Sequence, residues 1–325
     1  MSLCELEAAG AAARPVVAPV REPEHWVFAK LFFERDADVA DQIQAADQLL
    51  VGTLAQQFEA FRAARLPYFF IRYQEGGYHL RIRVHGQSRR MRQQLRQTLT
   101  RTLEPQLKRG AQLAFARYEP ELGKYAGRIG NALAELHFGS SSDVAVMALR
   151  AAPGQRMRIA LQLLQETLEA AELEPQQQID WCQAYYLYWG GQFRLLRAAL
   201  NQDKAQYLAQ AQAIRASLEV STHKPAVREC LIAWADVVRR DCQWLREAER
   251  RGELLDPMRE RDPLHQDFRD PLTLLSLLPN FVHMLNNRMG VTIRQEMRLS
   301  YCLLRELARR HQLRPRPLRI SLIPT

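Results

Sequence analysis

The 325-residue chain has no apolar run long enough to cross a bilayer as a helix. Its opening stretch, MSLCELEAAGAAARPVVAPVREPEH, lacks the basic-then-apolar order of a secretion signal. Residues 1–22 read instead as a flexible Ala/Pro-rich leader, and the default compartment is the cytoplasm. Cysteines are few: Cys4, Cys182, Cys230, Cys242 and Cys302 are scattered, odd in number and never spaced as C-x-x-C. That pattern argues against a disulfide framework or a zinc site and for reduced thiols, mostly in helices. A Walker loop, G-x-G-x-x-G, H-E-x-x-H and G-x-S-x-G are all absent, so no cofactor is expected. His79 and His85 have no carboxylate or thiol nearby in sequence, so no metal is expected either.

Acid is also in short supply. The formal net charge is +9, and Arg far outnumbers Lys. A basic balance favours an anionic partner: nucleic acid, a carboxylate-bearing substrate and an acidic peptide all fit. Arginine's planar fork suits bidentate carboxylate or phosphate contacts, but the bias by itself does not choose among them. A hydrophobic share of 47% with 25% charged residues excludes a disordered chain and fits a globular one.

Residues 25–119 alternate element types. HWVFAKLFFE reads as a strand, and DADVADQIQAADQLLVGTLAQQFEAFRAA as a helix begun by Asp. A hairpin follows in YFFIRYQEGGYHLRIRVHG, then a helix in SRRMRQQLRQTLTRTLEPQLK with Ser88 as its cap, and a strand in QLAFARYEP. The order β-α-β-β-α-β predicts a ferredoxin-like sheet region. Beyond about residue 128 the periodicity is helical, apart from the charged, Pro-punctuated RRGELLDPMRERDPLHQDFRDP, a loop or hinge, and the tail LRPRPLRISLIPT, where proline forbids a helix. The fold class is α+β: an N-terminal ferredoxin-like sheet region followed by a mostly helical half. Residues 23–325 form one domain, with a sheet-containing part over 23–127 and a helical part over 128–325. No internal repeat is visible.

Three stretches carry candidate chemistry. In the hairpin, strand alternation puts Tyr78, Leu80, Ile82 and Val84 on one face and His79, Arg81, Arg83 and His85 on the other. A regular four-residue turn over Gln74–Gly77 pairs Arg72 with His79 and Ile71 with Leu80, adding Arg72, Tyr68 and Phe70 to the basic face. That face holds no acid, so it is either solvated surface or the floor of an anion site; both readings stand at this point. In YEPELGKYAG, Glu121 and Lys124 are three apart and share a local site, or else form an incidental ion pair on a connecting loop. LLPNFVHMLNNRMG sets His283, Asn286, Asn287 and Arg288 in an apolar helical stretch. There His283 is either a satisfied structural residue or a proton-transfer group.

Together HWVFAKLFF, the hairpin, YEPELGKYAG with ALAELHFGSSSD, and FVHMLNNRMG with RQEMRLSYCLL resemble, in order and spacing, the C-terminal domain of lantibiotic dehydratases. That domain also occurs alone, in "thiopeptide-type bacteriocin biosynthesis" proteins. The resemblance implies a stand-alone lyase that eliminates glutamate from glutamylated Ser and Thr of a ribosomally made precursor peptide, leaving dehydroalanine or dehydrobutyrine. A separate glutamylating dehydratase would supply the ester, and neither a membrane nor direct contact with nucleic acid is required for elimination. It further implies that Arg81 and Arg83 bind and polarise the glutamyl ester, with Glu121, Lys124 and His283 in the catalytic set. Arg72, His79, Asn287 and Arg288 are expected to line the substrate site.

Three positions depart from the family pattern. Lys124 stands where an E-x-x-R-Y-G-G pattern has Arg, Ala126 replaces the first glycine, and Ser141 replaces an Asp in the FGSSS segment. The resemblance also admits a thiopeptide pyridine synthase, which joins two dehydroalanines by formal cycloaddition and expels the leader peptide. A non-catalytic peptide- or RNA-binding accessory protein is the third alternative.

Overall fold

The computed structural model describes residues 20–34, 38–151, 155–192, 196–254 and 272–316. Most of the expected leader, most of the expected 250–271 loop and the end of the tail lie outside the described residues. Strand β1 (Trp26–Phe32) is apolar on both sides apart from Lys30, and it lies inside the sheet, between β3 and β4. Helix α1 (Val39–Leu49) starts at Asp38, whose carboxylate accepts from the Ala40 N–H. It runs through a π-type turn over Leu50–Leu54 into α2 (Ala55–Ala63), where Phe58 stacks on Tyr68 and Phe70. Strands β2 (Tyr68–Tyr73) and β3 (His79–His85) form the hairpin. Helix α3 (Arg89–Leu107) is capped by Ser88 and buries Leu95, Leu99 and Leu103, and β4 (Gln112–Ala116) closes the unit. The sheet order is β2-β3-β1-β4 and every neighbouring pair is antiparallel.

The hairpin register corrects one expectation. The connection is five residues, Gln74–Tyr78, so Tyr73 pairs with His79, Ile71 with Arg81 and Arg72 with Leu80. A one-residue slip moves a strand's side chains to the other face. Arg72, Tyr68 and Phe70 therefore lie with Leu80, Ile82 and Val84, and the basic face carries Phe69, Ile71 and Tyr73 instead. Tyr78 has no partner on β2 but continues the pairing with β1: one step beyond Phe32 and His79, its carbonyl accepts the Phe33 N–H at 3.2 Å and its ring packs against Phe33. Gly76 and Gly77, at φ +77° and +110°, let the chain make that turn.

The rest is helical: α4 (Gly127–Ala151), α5 (Arg156–Ala170), α6 (Pro175–Gln192), α7 (Leu196–Ser217), α8 (Pro225–Arg250), α9 (Leu272–Met289) and α10 (Ile293–His311). The α+β class is as expected. Helices α4 and α9 pack on each other and on β2, joining the sheet to the bundle. At this seam the Asn287 side chain acts as a strand partner for the sheet edge. Its Oδ1 accepts the Arg72 N–H at 2.9 Å and its Nδ2 donates to the Arg72 carbonyl at 2.8 Å. Cys182, Cys230, Cys242 and Cys302 are buried free thiols on helices, and burial pushes each up to about 12, far from thiolate reactivity. Among the described residues, no helix is long and apolar enough to cross a membrane.

Candidate active site

The basic face is built by the central strands. Cross-strand pairs place Lys30 beside Arg81, Phe28 beside Arg83 and Trp26 beside His85. The Arg81 guanidinium lies 3.3 Å from the centroid of the Tyr73 ring, and its Nε donates to His79 Nε2 at 3.0 Å. Since that nitrogen accepts, His79 is neutral and carries its proton on Nδ1, which donates to the Gly77 carbonyl at 2.8 Å. Burial lowers the basicity of His79, and Arg81 and Lys30 lower it further, against the Gly77 contact. His79 thus holds Arg81 in place without competing for an anion.

Arg83 is only 8% exposed and is walled by Phe28, Phe69 and Tyr118, at 4.4, 5.1 and 5.2 Å from its guanidinium carbon. Burial lowers it to about 10, so it stays cationic at neutral pH. Among the described residues no carboxylate is within ion-pair distance of Lys30, Arg81 or Arg83. Like charges on adjacent strands repel unless an anion sits over them.

The segment after β4 borders the face. Glu121 is exposed and pairs with Lys124 at 3.3 Å across a turn closed by Lys124 N–H to Glu121 carbonyl at 2.9 Å. Tyr125 is buried against Phe138 and Phe281, which roots this turn on α4 and α9. Gly130 lets α4 come in: a Cβ there would lie 1.9 Å from the Tyr125 carbonyl. Ala126 sits at φ +55°, a left-handed conformation in which an L side chain is strained.

His283 comes from α9. Asn280 donates to the Lys124 carbonyl at 3.5 Å and Asn287 holds β2 at Arg72, so a helix span of seven residues, about 10.5 Å, links the turn to the strand. His283, three residues from one anchor and four from the other, shares their side of the helix. Its side chain is 21% exposed, and its Nδ1 faces Glu296 Oε1 at 3.0 Å. Glu296 is buried on the first turn of α10, and its other oxygen takes a short hydrogen bond from the Tyr185 hydroxyl. A carboxylate behind Nδ1 fixes the tautomer and leaves Nε2 for proton transfer. Glu296 lies within RQEMRLSYCLL, yet no local pattern ties it to His283 on a different helix.

Of the expected site residues, the fold puts Arg81, Arg83 and His79 on the basic face, Glu121 and Lys124 in the turn after β4, and His283 on α9, which packs on β2. Three others are committed elsewhere. Arg72 is buried on the opposite face, its guanidinium shared among Asp47, the Arg288 carbonyl and the Tyr78 hydroxyl. Asn287 is the edge-strand partner. Arg288 is fully buried, donating to Ser142 Oγ at 3.1 Å and the Met284 carbonyl at 2.9 Å, and it ties α9 to α4.

A family model described as "Lantibiotic biosynthesis dehydratase C-term" matches residues 26–308. Three solved structures share the fold. The tRNA-dependent lantibiotic dehydratase MibB from Microbispora sp. 107891 aligns at TM-score 0.62 and 20% identity, over 91% of this chain and 29% of MibB, so the chain spans under a third of that protein. TsrL aligns at TM-score 0.62 and 18% identity, over 90% of this chain and 99% of TsrL. TbtD, a pyridine synthase from thiomuracin biosynthesis, aligns at TM-score 0.60 and 18% identity, over 87% of this chain and 97% of TbtD. No curated protein gives a significant match.

Proposed function

The chain belongs to the lantibiotic biosynthesis dehydratase C-terminal family, and from that premise we propose that it eliminates glutamate from glutamylated Ser and Thr residues of a ribosomally made precursor peptide. The observation that carries this reading is the pair Arg81 and Arg83, cations that among the described residues have no carboxylate within ion-pair distance, on a face bordered by the segment that follows β4.

In this elimination a base takes the α-hydrogen of the esterified residue, the Cβ–O bond breaks, a Cα=Cβ double bond forms and glutamate departs as a carboxylate. Arg81 and Arg83 hold the glutamyl group, polarise the ester and receive the departing anion. His283 moves a proton through Nε2, with Glu296 holding its ring. The Glu121–Lys124 turn closes the border, Lys124 supplying charge without the bidentate fork of an arginine. A separate glutamylating protein is the partner in this reading, and the elimination itself uses neither nucleic acid nor membrane.

Reconstitution tests it. A glutamylated precursor peptide should lose the mass of glutamate with the intact protein and should not with R81A or H283A. Glutamate loss with either variant refutes its role, and no loss with the intact protein refutes the activity. A second reading draws on the pyridine synthase TbtD, which is covered over 97% of its length. As a pyridine synthase, the chain would form a ring and release leader peptide from an already dehydrated substrate, and would leave a glutamylated one unchanged.

A further inference from the structure

One buried carboxylate near Arg83 has no part in the reaction above. Glu135, on α4, is 3% exposed. Its Oε1 accepts from the Tyr118 hydroxyl at 3.1 Å and from Asn131 Nδ2 at 3.0 Å. Its Oε2 is buried without a hydrogen bond, and the nearest cation, Arg21 Nη1, is 3.8 Å away and likewise has none. Burial raises Glu135 to about 7, although Tyr118, Arg21, Asn131 and Arg83 all draw it down. A glutamine would meet Tyr118 and Asn131 without burying an acid, so packing alone does not explain a carboxylate here.

The explanation runs through Tyr118. Three rings wall Arg83, and two of them, Phe28 and Phe69, are fixed by the backbone ladders of β1 and β2. The third, Tyr118, follows β4 and belongs to no strand. Its ring meets Trp26 and Phe69 edge-on, and its hydroxyl is anchored on Glu135. A hydrogen bond to an ionised acceptor is about twice as strong as a neutral one. The polar groups around Glu135 are Arg21 and Glu22 from the N-terminal segment, Tyr118 from the segment after β4, Arg83 from β3, and Arg128 and Asn131 of its own helix.

We propose that Glu135 is a positioning residue: by holding the Tyr118 hydroxyl it sets the third wall around Arg83 and so the direction in which that guanidinium presents its charge. Its effect on turnover rests on the elimination reading; its effect on Arg83 does not.

The test uses the full chain, with E135Q, Y118F and the double variant, and two independent readouts. The first is the Arg83 Nε–H resonance in a 15N-arginine spectrum, identified by its loss in R83K. It should move and exchange faster with water in both single variants, and should titrate near pH 7 in the unaltered protein but not in E135Q. The second is elimination kinetics. Each single variant should raise KM for the glutamylated peptide about three- to tenfold with a smaller change in kcat, and the double variant should be no worse than either alone. An unchanged Arg83 resonance in E135Q and Y118F overturns the proposal, as do losses that multiply in the double variant. If the unaltered protein fails to eliminate glutamate, the functional reading falls while the Arg83 resonance still decides the role of Glu135.

Discussion

His283 Nδ1 stands 3.0 Å from Oε1 of Glu296, a buried carboxylate thirteen positions later on the next helix. This pairing leaves Nε2 as the nitrogen open to a substrate and makes the orientation of the ring depend on α10. H283A should cut glutamate elimination about 10²- to 10⁴-fold, the range for a lost acid–base group. E296Q, which removes charge but keeps shape, should cost about tenfold or more, and H283A/E296Q should be no slower than H283A. Glutamate release from a glutamylated peptide measures all three.

Arg81 and Arg72 sit on adjacent strands but should fail in opposite ways. R81K keeps the charge and loses both the Nε bond to His79 and the flat stack on Tyr73. Elimination should fall about tenfold or more with the denaturation midpoint nearly unchanged. R72A instead removes a buried guanidinium that pairs with Asp47 at 2.6 Å and donates to the Arg288 carbonyl, while Asp47 keeps its pair with Arg156. It should destabilise the fold by about 1–3 kcal/mol, read from urea unfolding.

Ala126 occupies a left-handed conformation at φ +55°. A126G should relieve strain of about 1 kcal/mol and raise the thermal midpoint by a few degrees. Equal or lower stability in A126G would show that the turn bears no strain.

His85 sets a pH dependence of stability. It is buried, with Nε2 lacking a hydrogen bond. Burial lowers it to about 4 from an ordinary 6.5, with Arg21, His25 and Arg92 adding to the shift. Because the folded value is depressed, the unfolded chain binds the extra proton as pH falls from 6.5 towards 4. Stability is therefore complete above pH 6.5 and declines through that window, by on the order of 2–3 kcal/mol at pH 4. H85Q should flatten that part of the profile in denaturation followed across pH.

Much of this architecture is legible in the chain. The alternation of His79, Arg81, Arg83 and His85 with Leu80, Ile82 and Val84 is enough to put four basic side chains on one face, because successive strand residues point to opposite sides whatever the partner. The Ser88 cap and the Glu121–Lys124 pair are likewise local, spanning three residues each. The β-α-β-β-α-β order followed by helices could be read the same way, from changes of hydrophobic period. What the tertiary structure alone decided is which groups meet. The face that carries Arg72 depends on Tyr73 pairing with His79 rather than with Tyr78, which instead meets Phe33 at the end of β1 and leaves a turn of five residues. Glu296 reaches His283, and Glu135 reaches Tyr118, only because α9 packs on its neighbours and α4 on the sheet. Backbone periodicity is a property of neighbours in sequence and can be read there. The pairing of a charge with its counter-charge is settled by packing between elements far apart in the chain.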